Sequence, residues 1–346
     1  MKSEFSTAKR FRTRVKFAGW LCLVVVLGLG TSIKSGVVVR TVRLSAAPAP
    51  GPRKHVDLLV FAPHPDDETL GCAGVILRAL AQGKTAKVVD FTNGDGFPAA
   101  AAALTGKPVD KLTPADFREL ARRRETEVAH AIAMLGMGPG DLILLGYPDS
   151  GLDYLYRHAE EEPYRQRFTE ETKTYAIVQQ DYHSATHGAP APYTHAAVLG
   201  DTVELIKLLV PSEIYVTNKL DGHPDHQAAY WIVHEAVVAA GYHGEFYTYL
   251  IHVGASAGDE WPWPHAITPR LPFAAHQFQG EQIPQGLPWP PPRRVSLTPE
   301  QAEKKLQAIR THLSRENAAS RRLMPGEREF LESFVKSEEV FWLGGE

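Results

Sequence analysis

From residue 55 onward, short apolar runs rich in β-branched residues alternate with segments whose apolar residues recur at helical spacing. HVDLLVFAP (55–63), TAKVVDFTNGDG (85–96), DLILLGYP (141–148), SEIYVTN (212–218) and EFYTYLIHV (245–253) predict strands, the second ending in a turn. Helices are predicted between them over 68–83, 113–136, 194–210 and 224–240, with a last one over 298–317. Gly83 closes the first helix; Thr113 caps the second, Pro114 opens it and Gly136 stops it. Strands this apolar, each followed by a helix, imply an α/β fold: a mostly parallel sheet covered by helices on both faces.

Two stretches interrupt the alternation. Residues 151–193 are polar and irregular, and residues 254–299 are rich in Pro and Trp, which bars them from the sheet interior. Ahead of the alternating region, residues 1–46 carry nine Lys/Arg against the single acid Glu4. Removing these from the 37 basic and 40 acidic residues leaves 28 and 39, a net of −11 for the remainder. So acidic a body is a poor partner for a phosphate backbone, and nucleic acid is not expected to bind it.

The uncharged run FAGWLCLVVVLGLGTSI (17–33) follows six basic residues and precedes an APAPGP linker. This order predicts an N-terminal membrane-targeting helix, read as an uncleaved anchor, with residues 47–346 as the catalytic domain on the outer side of the membrane. The only cysteines are Cys22 in that run and Cys72 in the first helix, so no disulfide is expected within the body. Cys72, among apolar neighbours, reads as a core residue.

The chemistry concentrates at two strand exits. PHPDDE (63–68) ends the first predicted strand and DGHPDH (221–226) follows the fourth. In open α/β sheets the binding crevice lies at the carboxyl ends of the strands, so both segments can converge on it. Pro65 and Pro224 force the preceding histidines into extended conformations and open the helices behind them. His64, Asp67 and His226 make a natural ligand set for Zn²⁺, two imidazoles and a carboxylate with a fourth position open; iron or cobalt would suit the same atoms. Asp66 suits a general base for an attacking water. His223 is left to stabilise an oxyanion or to protonate a leaving group, with Asp225 or Asp221 to hold its tautomer. His183 and His187 stand four apart, but in the loop-like DYHSATHGAPAP, where chance explains the spacing. His130, His234 and His252 read as ordinary helix or strand residues.

PHPDDE and HPDH, with TNGDG (92–96), Arg124 and Glu127 in the long helix, and GYPDSGL (146–152), resemble the zinc-dependent N-deacetylases called PIG-L or LmbE-like. The similarity spans about residues 55–255. It implies a Rossmann-like single domain that removes an acyl group, usually acetyl, from an amino sugar such as an N-acetylglucosamine conjugate. It also implies His64, Asp67 and His226 as zinc ligands, Asp66 as base and His223 as oxyanion stabiliser, with Arg124 and Asp95 at sugar-contacting positions. Where familiar members carry an aromatic residue two before HPDH, this chain has Asp221, which puts Asp221 at the substrate rim. A non-sugar N-acyl substrate fits the same chemistry. A non-catalytic sugar-binding surface protein would use Trp261, Trp263 and Trp289 for stacking but leave both clusters idle. A dinucleotide site is not expected, because no G-x-G-x-x-G follows the first strand; the GCAG at 71–74 reads as close helix packing.

Overall fold

The computed structural model describes residues 54–159, 162–253, 261–278, 280–284, 286–312 and 327–345. The basic tail and the apolar run 17–33 lie outside the described residues. Among the described residues no helix is long and apolar enough to cross a membrane.

In chain order the elements are β1 (Leu58–Ala62), α1 (Asp67–Ala81), β2 (Ala86–Thr92), α2 (Pro98–Thr105), α3 (Pro114–Leu135) and β3 (Leu142–Tyr147). Then come α4 (Leu152–Arg157), α5 (Tyr182–His187), α6 (His195–Leu209), β4 (Glu213–Thr217), α7 (Pro224–Ala240) and β5 (Glu245–Tyr249). A small hairpin of β6 (His276–Phe278) and β7 (Glu281–Ile283) precedes β8 (Arg293–Ser296), α8 (Pro299–Ile309), α9 (Glu327–Ser333) and β9 (Glu338–Leu343).

The main sheet runs β3-β2-β1-β4-β5-β9-β8. Its first five strands are parallel, and β9 and β8 add an antiparallel edge. The sequence pattern anticipates the parallel part but not β9, whose acidic start (EEVFWL) masks its apolar half. β8 takes the edge, the position open to a Pro-flanked strand. Residues of β1 alternate between two cores. Leu58 and Val60 pack beneath α1 and α3 with Ile76, Val128 and Ile132, while Leu59 and Phe61 pack beneath α6 and α7 with Val198, Ile206 and Ile232. A strand buried on both faces loses the polar alternation of a surface strand, which is why β1 reads as a continuous apolar run.

The helix ends follow local chemistry. In α3, Thr113 and Asp116 form a capping box, the Thr113 amide and hydroxyl both donating to Asp116 Oδ2 (2.8 and 2.7 Å), and Gly136 ends the helix at φ 98°. Lys107 adds an ion pair to Asp116 at 2.7 Å. Gly71 in α1 meets the ring of Tyr249 on β5 so closely that an added Cβ would lie 2.3 Å from it. Tyr249 cannot retreat freely, because its hydroxyl donates to the carbonyl of Phe61 at 2.9 Å. A buried ion pair also braces α1: Lys305 of α8 donates to the Leu70 carbonyl (2.7 Å) and to Glu339 of β9 (2.6 Å), and Glu339 accepts the amides of Gly74 and Val75. The 151–193 insert, read as irregular, holds the short helices α4 and α5 and buries several of its side chains. Tyr182 and Tyr193 are buried, and the Tyr193 hydroxyl donates to the Gly146 carbonyl.

Two outcomes follow for stability. Gly71→Ala overpacks the α1–sheet interface and is expected to cost about 1–3 kcal/mol in urea unfolding; a wild-type midpoint would show that Tyr249 yields. Hydrogen bonds from Lys107 and Thr113 lower the Asp116 carboxyl to about 2, from an ordinary 3.8. A carboxyl depressed in the folded state contributes stability that is present above its unfolded value and is lost as pH falls through its folded one. Asp116→Asn should therefore lag the native protein in stability at pH 7 and close that gap between about pH 4 and pH 2, as read by denaturant titrations at each pH.

Candidate metal centre and active site

β1 and β4 are neighbours at the centre of the sheet, and the chain progresses outward from them in opposite directions. This is the switch point where such sheets open a crevice. The turn after β1 holds His64, Pro65 and Asp66 ahead of Asp67, the first residue of α1, and the turn after β4 ends in His223, the N-cap of α7, with His226 in the first turn.

Three atoms from these two turns meet. His64 Nδ1 lies 3.2 Å from Asp67 Oδ2 and 3.2 Å from His226 Nε2, and His226 Nε2 lies 3.2 Å from Asp67 Oδ2. The far side of each ring faces a carboxylate: His64 Nε2 is 3.3 Å from Asp149 Oδ1 and 3.5 Å from Asp225 Oδ2, and His226 Nδ1 is 3.1 Å from Asp221 Oδ1. Carboxylates at the far nitrogens favour protons there, so both rings turn lone pairs toward the same point as the Asp67 oxygen. Three converging acceptors suit a cation. Zinc bonds of about 2.0–2.1 Å in a tetrahedron set ligand atoms about 3.3 Å apart, which these edges match. The residues present therefore fit a divalent metal.

The carboxylates around the rings favour positive charge at this point. Burial by itself would lower the His226 imidazole, but Asp67 and Asp221 outweigh it and lift its pKa to about 10, so a metal binding there would displace a proton. Burial works against charge on Asp67 and Asp149, yet the facing histidines hold both carboxyls below the usual range. His223 is pushed down to about 3 by burial and by the neighbouring His64 and His226, so it is neutral. Its Nδ1 accepts the Asp225 amide at 3.2 Å, which leaves Nε2 to carry the proton.

Asp66 caps α1 with φ 150° and ψ −29°, a region costly for a side-chain-bearing residue. Its amide donates to Glu68 (3.0 Å) and its carboxylate accepts from Arg124 (3.0 Å), so the turn is held from both ends. Burial pushes Glu68 up to about 8. Arg124 also donates to the carbonyls of Pro65 and Gly94, and Gly94, at φ 66°, has no room for a side chain against that guanidinium. His64, Asp66, Arg124, His223, His252 and Phe330 line a cavity of about 290 Å³, open to solvent, with Phe97 and Ile251 on its apolar side.

Several expectations need correction. Asp221 is fully buried, not at a substrate rim: besides facing His226 it accepts the amides of His223, Ile251 and His252. The carboxylate of Asp225 does not hold His223; it accepts the amides of Ser150 (2.7 Å) and Asp153 (3.3 Å) beside His64, and only its backbone fixes the His223 tautomer. Asp95 is buried behind the cavity wall, where the Tyr175 hydroxyl donates to it and burial beside Asp149 lifts it to about 7. Arg124 reaches the cavity, but Nη1 and Nη2 serve Asp66 and backbone carbonyls. Trp261 is core, packed on Phe273 and Trp342, and Trp263 stacks on His276; neither lines the cavity.

Two residues escaped the sequence reading. Asp149 sits in the GYPDSGL turn after β3, a third strand exit; the resemblance takes in that segment but singles out no residue of it. His252, read as an ordinary strand residue, stands just past β5 on the cavity wall, stacked on Phe330 at 5.3 Å.

The family model described as PIG-L: GlcNAc-PI de-N-acetylase matches residues 59–237, from β1 into α7, and takes in both His-Pro turns. The chain belongs to the PIG-L family. Solved structures similar to this PIG-L chain include the conserved protein TT1542 from Thermus thermophilus, at 21% identity over 83% of this chain and 94% of that one, TM-score 0.46. Another is N,N'-diacetylchitobiose deacetylase from Pyrococcus horikoshii, at 18% identity over 82% of each chain, TM-score 0.45. A third is GalB, the 4-carboxy-2-hydroxymuconate hydratase from Pseudomonas putida, at 16% identity over 81% of this chain and 82% of that one, TM-score 0.44. No curated protein matches the chain.

The partner at the far nitrogen of a metal-binding histidine tunes its affinity. Asp221→Asn keeps an acceptor for the amides but removes the charge beside His226, and should weaken metal retention about 10–100-fold in a chelator competition. Unchanged affinity would show that Asp221 only braces the loop.

Proposed function

We propose that this chain is a zinc-dependent N-deacetylase that hydrolyses the N-acetyl group of an amino-sugar substrate, such as an N-acetylglucosamine conjugate. Membership of the PIG-L family supports N-deacetylation in general. The observation that carries the reading is the triangle of His64 Nδ1, Asp67 Oδ2 and His226 Nε2, with Asp66 and His223 on the cavity beside it. When bound, a divalent metal there polarises a carbonyl oxygen and lowers the pKa of water.

The protein's own groups then have distinct tasks. Asp66 accepts the proton of the attacking water and returns it to the departing amine. Arg124 fixes the Asp66 carboxylate by an ion pair made almost wholly out of solvent, where it is little screened. His223 donates from Nε2 to the oxygen that gains charge as the carbonyl carbon becomes tetrahedral, and being neutral it need not lose a proton to do so. Phe97, Ile251 and Phe330 give the cavity an apolar side suited to an acyl methyl or the apolar face of a sugar ring.

A broader reading, a zinc amidase on a non-sugar N-acyl compound, is favoured by one observation. Asp95 and Asp221 lie away from the cavity, and Arg124 turns Nη1 and Nη2 to Asp66 and backbone, so the expected sugar contacts are engaged elsewhere. We also propose, from the basic tail and the run 17–33 alone, that the domain is held at or exported across a membrane with its site outside the cytoplasm.

Acetate release from N-acetylglucosaminyl substrates and from non-sugar N-acetyl amines decides between these readings, and release from neither would end both. Asp66→Asn should retain the metal and lower kcat by about 10²–10⁴-fold. Native turnover by that variant would remove Asp66 from the proton path.

A further inference from the structure

A second cluster of metal-binding side chains lies outside the cavity. The segment expected to be a loop is the helix α5, which sets His183 and His187 one turn apart on one face with ring centroids 4.4 Å apart. On α6, Asp201 and Glu204 stand three apart and face them: His183 Nδ1 is 2.7 Å from Asp201 Oδ1, and His187 Nε2 is 3.0 Å from Glu204 Oε2. One ligand atom from each of His183, His187 and Asp201 lies within 4.8 Å of the others.

We propose that His183, His187, Asp201 and Glu204 form a second site for a divalent transition-metal cation, Zn²⁺ or one of similar softness. Two imidazoles and two carboxylates match that class of metal and carry the two negative charges it neutralises. Asp201 is the fixed ligand. It is 2% exposed, and the Tyr147 hydroxyl donates to Oδ2 at 2.6 Å, orienting the carboxylate with Oδ1 toward His183. Such an outer partner is what holds a ligating carboxylate in place. His183 and Glu204 are half-buried and His187 is exposed, so the site is reached from solvent and its outer side chains can turn onto an ion that arrives there.

The consequence is mechanical. α5 belongs to the 151–193 insert, and α6 belongs to the layer that covers the sheet. Asp181 caps α5 and accepts the Thr174 hydroxyl; next along, the Tyr175 carbonyl accepts from Asn93 and its hydroxyl donates to Asp95, on the loop that leads to the cavity. A cation between α5 and α6 ties this part of the insert to the helix layer. None of this depends on the activity proposed above.

The test uses the full chain, dialysed against Zn²⁺ and then against metal-free buffer, with zinc measured by elemental analysis and folding checked by circular dichroism. The native protein should hold one equivalent more than the His183→Ala/His187→Ala variant. His226→Ala, which disables the cavity site, should keep an equivalent that disappears when the two changes are combined. The melting temperature of His226→Ala should rise with added Zn²⁺, and Glu204→Gln, which keeps the side chain's size and removes its charge, should blunt that rise. Equal zinc in the native protein and the α5 double variant, or a melting temperature of His226→Ala that ignores zinc, would overturn the site.

Discussion

The parallel pairing of β1 with β4 carries the candidate site. His64 and His226 are 162 positions apart, and nothing between them in the chain obliges their rings to meet. They meet because the register sets Leu58 opposite Glu213 and Val60 opposite Tyr215, so both strands end at the same level and both His-Pro turns open into one crevice. Each proline then limits its turn to a narrow range of backbone angles, and the helix behind it supplies the next ligand one turn on. Shifting β4 along β1 by a residue would turn its side chains to the wrong faces and move His226 off the Asp67 oxygen.

Charge balance is the second constraint. Asp66, Asp67, Glu68, Asp90, Asp149, Asp221 and Asp225 are all buried around the crevice, with Arg124 and a few imidazoles as counterweight. So many carboxyls can share a low-dielectric region only if some are neutral and the rest are paired. The structure does both. Asp90 is pushed up by burial and by Glu68, Asp67 and Asp66, whereas Asp149 and Asp67 stay ionised against histidines. The ionised ones surround the rings of His64 and His226 and favour positive charge there.

The same crowding explains the firm architecture around Asp66. A cap residue at φ 150° persists only when its surroundings fix it. Here the fixing groups are Arg124, which reaches from α3 to the Asp66 carboxylate and the Pro65 carbonyl, and Glu68, which takes the Asp66 amide. Arg124 is thus engaged with Asp66 and with the backbone of this turn. Besides the acidic and His-Pro residues, the cavity is lined by His252 and by the apolar Leu70, Phe97, Ile251 and Phe330.

The sequence by itself determined the alternation of strands and helices, the cap at Thr113, the glycine stops, and the placing of both His-Pro turns at strand exits. All of these are local: each depends on residues within a turn or two, whose backbone preferences act wherever the segment lies. Only the tertiary structure decided what stands behind each ring, that Asp149 faces His64, that Asp221 serves His226 from full burial, and that Asp225 turns away from His223. It likewise decided that α5 forms and meets α6, and that β8 and β9 finish the sheet in the antiparallel sense. Those outcomes depend on which distant segments the sheet order makes neighbours. A carboxylate in a strand-end turn reads the same in sequence whether it meets a metal, a ring or an amide.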